Sequence, residues 1–279
     1  MLPIPTMQSH INHCSSSINL SSDRGALVST ELCHVWDQST SSSSSSRWVA
    51  AVSLQTPRSW SSSVVRPRPD GSQEMLVVGG LGRDNETLAS IEVVSLLPSP
   101  TSHYLPVSLP SGLSAHCAVQ LNSSHTLIAG GSTASSLANI SRSTWYLTEE
   151  ALRPATSMIQ ARAGHSCTSL VSPIGEVEVV VVGGVTMAGV RKVLDTVEIF
   201  NPRTGQWRLG PSLPRPVFGG SMLELSGQPV LFGGRYEDED TGLHQSSQSY
   251  LYQNTWRSGA LRLRDPRDLA TILPAPPAC

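Results

Sequence analysis

Arg58, Arg162 and Arg215 each stand just ahead of a short apolar strand, as if one place in the fold recurred. Guanidinium groups gathered around one opening can clamp a carboxylate-bearing peptide through paired hydrogen bonds. The other use of such a set is internal, each arginine tying neighbouring structural units to a backbone carbonyl or a carboxylate. His116 and His165 also recur at an interval, and two equivalent imidazoles can coordinate copper or iron. No radical or carboxylate partner can be placed beside them, so they read as structural residues that hydrogen-bond between units. The run Glu237 to Asp240, with His244 nearby, offers carboxylates to a hard cation. Its spacing is not that of a calcium loop, and it reads as a solvated segment. The chain has no G-x-S-x-G, H-E-x-x-H, phosphate-loop or dinucleotide pattern, and no nucleophile paired with a base. No catalytic residue, metal or cofactor is expected, and no enzyme.

A repeat must position these residues. Gly79-Gly80, Gly130-Gly131, Gly183-Gly184 and Gly233-Gly234 each end an apolar run, at intervals of 51, 53 and 50 residues. An interval of that size marks a repeat architecture. Ahead of each run lies a shorter strand: residues 59–65, 114–121, 164–171 and 219–225. The turns between them hold Pro, Gly, Asn or Ser, which makes each pair an antiparallel hairpin. A polar loop follows each glycine pair, then a third strand, and "QWRLG" at 206–210 is the clearest fourth. Leu109, Met158 and Leu213 follow the first three pairs as apolar residues in short connectors. Four short antiparallel strands cannot close a core alone, and units of about 50 residues stack radially as propeller blades. Glycine suits the end of the second strand because it admits close backbone approach and positive φ.

The pattern resembles the kelch repeat. The third unit carries it most fully, with Gly183-Gly184, Glu198 in "VEIF", Trp207 in "NPRTGQW" and then "SLPRP". The family pattern also places Arg and His at the start of the next first strand. "ARAGHS" keeps both as Arg162 and His165, "SAHC" keeps His116, and "RPVFGG" keeps Arg215. The resemblance spans about residues 30 to 270 and implies an all-β, kelch-type β-propeller of four-stranded antiparallel blades. Repeats are expected at about 59–110, 114–155, 164–210 and 219–260. Residues 29–37 and 47–58 read as a third and a fourth strand, with Glu31 and Trp48 in the places of Glu198 and Trp207. Trp48 and Trp207 are expected to pack between blades. "RDLATILPA" at 267–275 reads as a first strand that completes this N-terminal blade. Closure would give five blades over 29–275; a truncated six-blade domain is the alternative. Residues 1–28 read as a poorly structured, Ser-rich lead-in, at best holding a degenerate strand.

For function the resemblance implies a protein or peptide ligand, held by the loops of one face: 81–89, 132–140, 185–194 and 235–245. Arg58, Arg83, Arg162, Arg215, Arg235 and Tyr236 are the partner-binding candidates there. In relatives that carry a BTB domain, the propeller recognises substrates for a ubiquitin ligase. No such domain fits before residue 30, so that role would need a separate subunit or a longer chain. The alternatives are a secreted kelch-like glycoprotein and a galactose-oxidase-like copper enzyme. A net charge of -2 and a pI near 6.4 show no basic excess, so nucleic acid and anionic membranes are not expected partners. No apolar run is long enough to span a bilayer, and the N-terminus lacks the pattern of a secretory signal. Four of the seven asparagines, Asn19, Asn85, Asn122 and Asn139, begin N-x-S/T sequons, a hint of secretory history. Five cysteines with no C-x-x-C pair suggest neither a disulfide framework nor a zinc site.

Overall fold

The structure is a computed structural model that describes residues 32–36, 48–68, 70–95, 101–172, 175–225, 227–238 and 242–268. It is all-β, with no helix among the described residues. An antiparallel pair, β1 (Leu32–Trp36) and β2 (Trp48–Ser53), comes first. Four four-stranded antiparallel sheets follow. Blade 1 holds β3 (Ser62–Pro67), β4 (Gln73–Val78), β5 (Ile91–Ser95) and β6 (Thr101–Tyr104). Blade 2 holds β7 (Cys117–Gln120), β8 (Thr126–Ala129), β9 (Thr144–Leu147) and β10 (Leu152–Ala155).

Blade 3 holds β11 (Ser166–Val171) and β12 (Val177–Val182). A separate hairpin, β13 (Val185–Ala188) and β14 (Val190–Val193), then intervenes before β15 (Val197–Asn201) and β16 (Gln206–Gly210). Blade 4 repeats the plan with β17 (Ser221–Leu225), β18 (Gln228–Phe232), the hairpin β19 (Arg235–Asp238) and β20 (Gly242–Gln245), β21 (Gln248–Tyr252) and β22 (Trp256–Arg262). The segments 185–194 and 235–245, expected as plain polar loops, therefore carry strands. The expected closing strand lies outside the described residues beyond Arg267 and Asp268. The same holds for the lead-in and for Glu31, and nothing is described of the Trp48 side chain.

Each second strand is buried on both faces, which is why it reads as an unbroken apolar run. Val180 and Val182 of β12 pack towards blade 4, against Leu231 and Tyr250. Val179 and Val181, on the opposite face of the same strand, pack towards blade 2 with Leu127 and Ala129. Blades 1 and 2 meet in the same way through Leu76, Val78, Ile128 and Leu147. Fourth strands lie at the rim and are mostly exposed, so "TSHY" and "LRPA" carry little apolar signal.

The glycine pairs fix how blades meet. All eight have positive φ, between +56° at Gly79 and +104° at Gly80. A Cβ on Gly183 would lie 2.2 Å from the Val217 carbonyl oxygen. The next residue's N–H, that of Gly184, donates to that same oxygen at 2.8 Å. Gly80 and Gly131 make the same bond to Leu113 and Arg162 at 2.8 Å, and Gly234 makes it to Arg267 at 2.9 Å.

Candidate functional site

Connections alternate between the two ends of a four-stranded meander, so the loops after each second strand share a face. Blades 1 and 2 contribute compact loops there, joined where the Thr87 hydroxyl donates to the Thr133 carbonyl at 3.2 Å. Blades 3 and 4 contribute the two hairpins. Gly189, with φ +83°, turns the first, and it leaves Met187 44% and Val190 74% exposed beside exposed Arg191 and Lys192. The second presents Leu243, 37% exposed, with exposed Glu237. Its base is braced: Arg235 pairs with Asp268 at 2.6 Å, and Gln245 donates to the same carboxylate. Tyr236 packs on His244 with ring centroids 5.6 Å apart, and the Arg215 guanidinium carbon sits 4.1 Å from the Tyr236 centroid. The first hairpin thus carries two exposed large apolar side chains with basic neighbours, and the second carries one with an acidic neighbour.

The arginines grouped by sequence fall into two classes. Arg58 and Arg162 are buried, at 2% and 0% exposure, and lie inside the blades. Arg162 donates to the Gly183 and Thr196 carbonyls at 2.8 and 3.0 Å and pairs with Glu198 at 2.7 Å. Arg58 repeats this with Gly79, Ser90 and Glu92. Burial pushes the Arg162 guanidinium below its ordinary value, against the opposing pull of Glu198. Arg83, Arg215, Arg235 and Tyr236 remain on or beside the loop face, with Arg83 and Arg215 exposed. The hairpins were not legible as strands, although Gly189 between two short runs with β-branched residues is a hairpin signal.

His116 and His165 are buried, and burial holds both down to about 3. The His165 ring meets the Ala129 carbonyl of the preceding blade at 3.1 Å, and each ring packs beside a glycine, His116 at Gly79 and His165 at Gly130. Among the described residues no three His, Cys, Asp or Glu side chains gather as a metal site would need. Trp207 donates to the Thr156 carbonyl of blade 2 at 2.7 Å and packs on Phe200.

Two features were not expected. Cys117 and Cys167, close behind the two histidines, form a disulfide between adjacent inner strands, with Cα atoms 6.1 Å apart. Cys117 pairs with Ala129 and Ser166 with Val182, the residues just before two of the glycine pairs, so Cys167 stands one position beyond the equivalent of Cys117. Because strand side chains alternate, that single step turns the two thiols to opposite faces and so towards each other. The odd cysteine count concealed the pair. On the opposite face, a cleft of about 680 Å³ lies between blades 2 and 3, lined by Asn122, His125, Tyr146 and Arg153. Its neighbour, about 630 Å³, is lined by Arg66, Arg68 and Glu74. There Glu74 is clamped by both arginines.

Comparison with known proteins agrees with this architecture. The Kelch motif matches residues 178–214, from β12 through the connector that holds Leu213. The solved structure of YjhT superposes with a TM-score of 0.67 at 15% identity, covering 85% of this chain and 80% of that chain. At that identity the likeness is one of fold alone. A search against curated protein sequences returned no match. No helix among the described residues is long and apolar enough to cross a membrane. With the motif matched in blade 3 and its glycine pairs, sheets and junctions recurring through blades 1 to 4, the architecture is that of a kelch-type β-propeller.

Proposed function

We propose that this protein is a non-catalytic interaction module that seats a partner protein across the β13–β14 and β19–β20 hairpins. The observation that carries the reading is that Met187, Val190 and Leu243 are exposed on two elements that pair with no blade sheet. Among the described residues, the other exposed large apolar side chains lie on blade strands or, like Ile159, in a connector between blades. Exposed apolar residues grouped on one face mark contact surfaces. Arg191 and Lys192 on one hairpin and Glu237 on the other supply charges of both signs. They suit a partner with an apolar centre and a mixed-charge border. The fold supports the reading in general terms, because variable segments on a rigid scaffold are where binding concentrates. Substrate recognition within a ubiquitin ligase is one form that such binding takes in kelch proteins.

The test replaces Met187, Val190 and Leu243 together with serine, beside a control with Val177→Ser on the opposite face. Cross-linking mass spectrometry on native extract is expected to identify a partner whose contacts map to the hairpins. The triple variant should lose that partner while keeping its thermal midpoint, and the control should keep both. Cross-links mapping to the opposite-face clefts, unchanged by the triple variant, would move the site there.

A further inference from the structure

We infer that this protein matures in an oxidising, glycosylating compartment, where Cys117 and Cys167 join blades 2 and 3 and Asn85, Asn122 and Asn139 accept N-linked glycans. The bond joins residues 50 positions apart on inner strands that share no hydrogen-bonded ladder. It closes a loop that contains all four strands of blade 2, so it holds the first strands of blades 2 and 3 together. A cytosolic thiol pool would keep such a pair reduced, whereas extracellular and secretory compartments preserve it. Forming it takes two electrons and two protons from the thiols, which pass to the disulfide of an oxidoreductase and leave that enzyme as a dithiol.

The sequons agree by an independent route. Asn85, Asn122 and Asn139 are all exposed at loop or turn positions, so a glycan on any of them points into solvent. The Asn122 side-chain oxygen accepts from the Ser124 hydroxyl and N–H at 3.0 Å each, so the sequon's asparagine and serine are already in contact. The exposed Asn139 Nδ2 donates to the Thr133 hydroxyl, a surface bond that glycan transfer there must break. In the transfer, the asparagine Nδ2 bonds to the anomeric carbon of a lipid diphosphate-linked oligosaccharide. The carbon–oxygen bond to the diphosphate breaks, the Nδ2 proton leaves to a base on the transferase, and the lipid diphosphate departs.

The glycans would be unevenly placed. Asn85 and Asn139 lie on the loops of blades 1 and 2, and Asn122 lies on the opposite face. The hairpins of blades 3 and 4 contain no sequon. Sugars would therefore cover one half of the loop face and leave Met187, Val190 and Leu243 open. This inference does not depend on the hairpins being the binding site, and it argues against a cytosolic ubiquitin-ligase role.

The full 279-residue chain is produced in animal cells twice, once behind a cleavable secretory leader and once in the cytosol. Peptide mass spectrometry after enzymatic deglycosylation in heavy-oxygen water reads the asparagines. Thiol alkylation before and after reduction reads the cysteines. Secreted protein is expected to carry the heavy-oxygen mark at Asn85, Asn122 and Asn139, and to expose Cys117 and Cys167 only after reduction. Its thermal midpoint should exceed that of the cytosolic form by several degrees, and reductant should remove the part due to the bond. A secreted chain with bare asparagines and free thiols, no more stable than the cytosolic one, would overturn the inference. A Cys117→Ala, Cys167→Ala variant secreted with an unchanged midpoint would overturn its disulfide half, whatever the hairpins bind.

Discussion

Blades 1 and 3 begin with a buried arginine, and blades 2 and 4 begin with a buried aliphatic residue at the same place. Arg58 and Arg162 each reach a glutamate on their own third strand, Glu92 and Glu198. Strand register puts Trp145 and Tyr250 where those glutamates would be in blades 2 and 4. Leu113 and Val217 occupy the arginine position, 1% and 4% exposed. A third residue changes with them. The backbone N–H groups of Gln55 and Ile159 donate to the glutamates, and the matching positions, Pro110 and Pro214, have no N–H to donate. The second donors, Thr56 and Gln160, are matched by Ser111 and Arg215, which are exposed and reach water. Each set pairs the carboxylate, or does without it, in its own way, although Arg162 Nε stays buried without a partner. The blade junction is therefore set by backbone, and the side chains that fill it form sets that are exchanged whole.

The strongest challenge to that view is to the shared backbone. Gly183→Val and Gly130→Val attack one aliphatic and one arginine junction, since their Cβ atoms would meet the Val217 and Arg162 carbonyls at 2.2 and 2.6 Å. Each also forces a β-branched residue to positive φ. Both should cost about 4 kcal/mol or more in urea unfolding. Gly189→Ala, at φ +83° with open space around it, should cost about 1 kcal/mol. A large loss at only one of the two junctions would mean that side chains, and not backbone, hold the blades in place.

Side-chain sets are tested next. Arg162→Leu leaves Glu198 buried with only two backbone donors and should cost about 3 kcal/mol. Adding Glu198→Trp and Ile159→Pro installs the set used by blade 2. The triple variant should lose less than the single one, in the same urea measurement. A triple variant that loses more than Arg162→Leu alone would show that the sets are not interchangeable.

Both kinds of junction share a buried histidine where they meet blades 2 and 3, and this gives a smaller, pH-dependent effect. Burial lowers His116 and His165 from 6.5 to about 3, with Arg162 pushing His165 the same way. A folded value below the unfolded one means the stabilisation is complete above pH 6.5 and is lost as pH falls towards 3. The slope should approach about 1.4 kcal/mol per histidine for each pH unit in that window. Urea titrations at pH 7, 6 and 5 read it, and a His116→Gln, His165→Gln variant should flatten it. An unchanged slope in that variant would assign the acid sensitivity to carboxylates.

Much of this was legible in the sequence, and most of the misses have one cause. Second strands, glycine pairs and third strands are buried, so their residue types are constrained and the pattern is visible. The β6, β10 and β22 strands lie at the rim, and the two hairpins project from the blades beyond their bonded bases, so their strand structure rests on pairing that apolar periodicity cannot report. The Cys117–Cys167 bond is hidden in a total of five cysteines, because only the offset between adjacent repeats brings the two thiols together. The arginines failed differently: residue type was right and register was not.

Arg162 in "ARAGHS" and Arg215 in "RPVFGG" look alike, but the hydrogen bonds separate them. Gly131 donates to the Arg162 carbonyl and Gly184 to that of Val217, so Val217 is the counterpart of Arg162. Arg215 stands two residues earlier, exposed, over the Tyr236 ring at 4.1 Å. An exposed cation–π contact contributes about 0.5–1 kcal/mol, well below a buried pair whose loss strands a charge. Arg215→Ala should therefore cost about 0.5 kcal/mol, several-fold less than Arg162→Leu. In a double-mutant cycle with Tyr236→Leu, the coupling should account for most of that loss. Because Tyr236 lies on β19, its effect should be larger on partner capture than on the thermal midpoint. If Arg215→Ala instead destabilises as much as Arg162→Leu, then Arg215 supports the blade 4 junction, and the division into arginine and aliphatic junctions fails there.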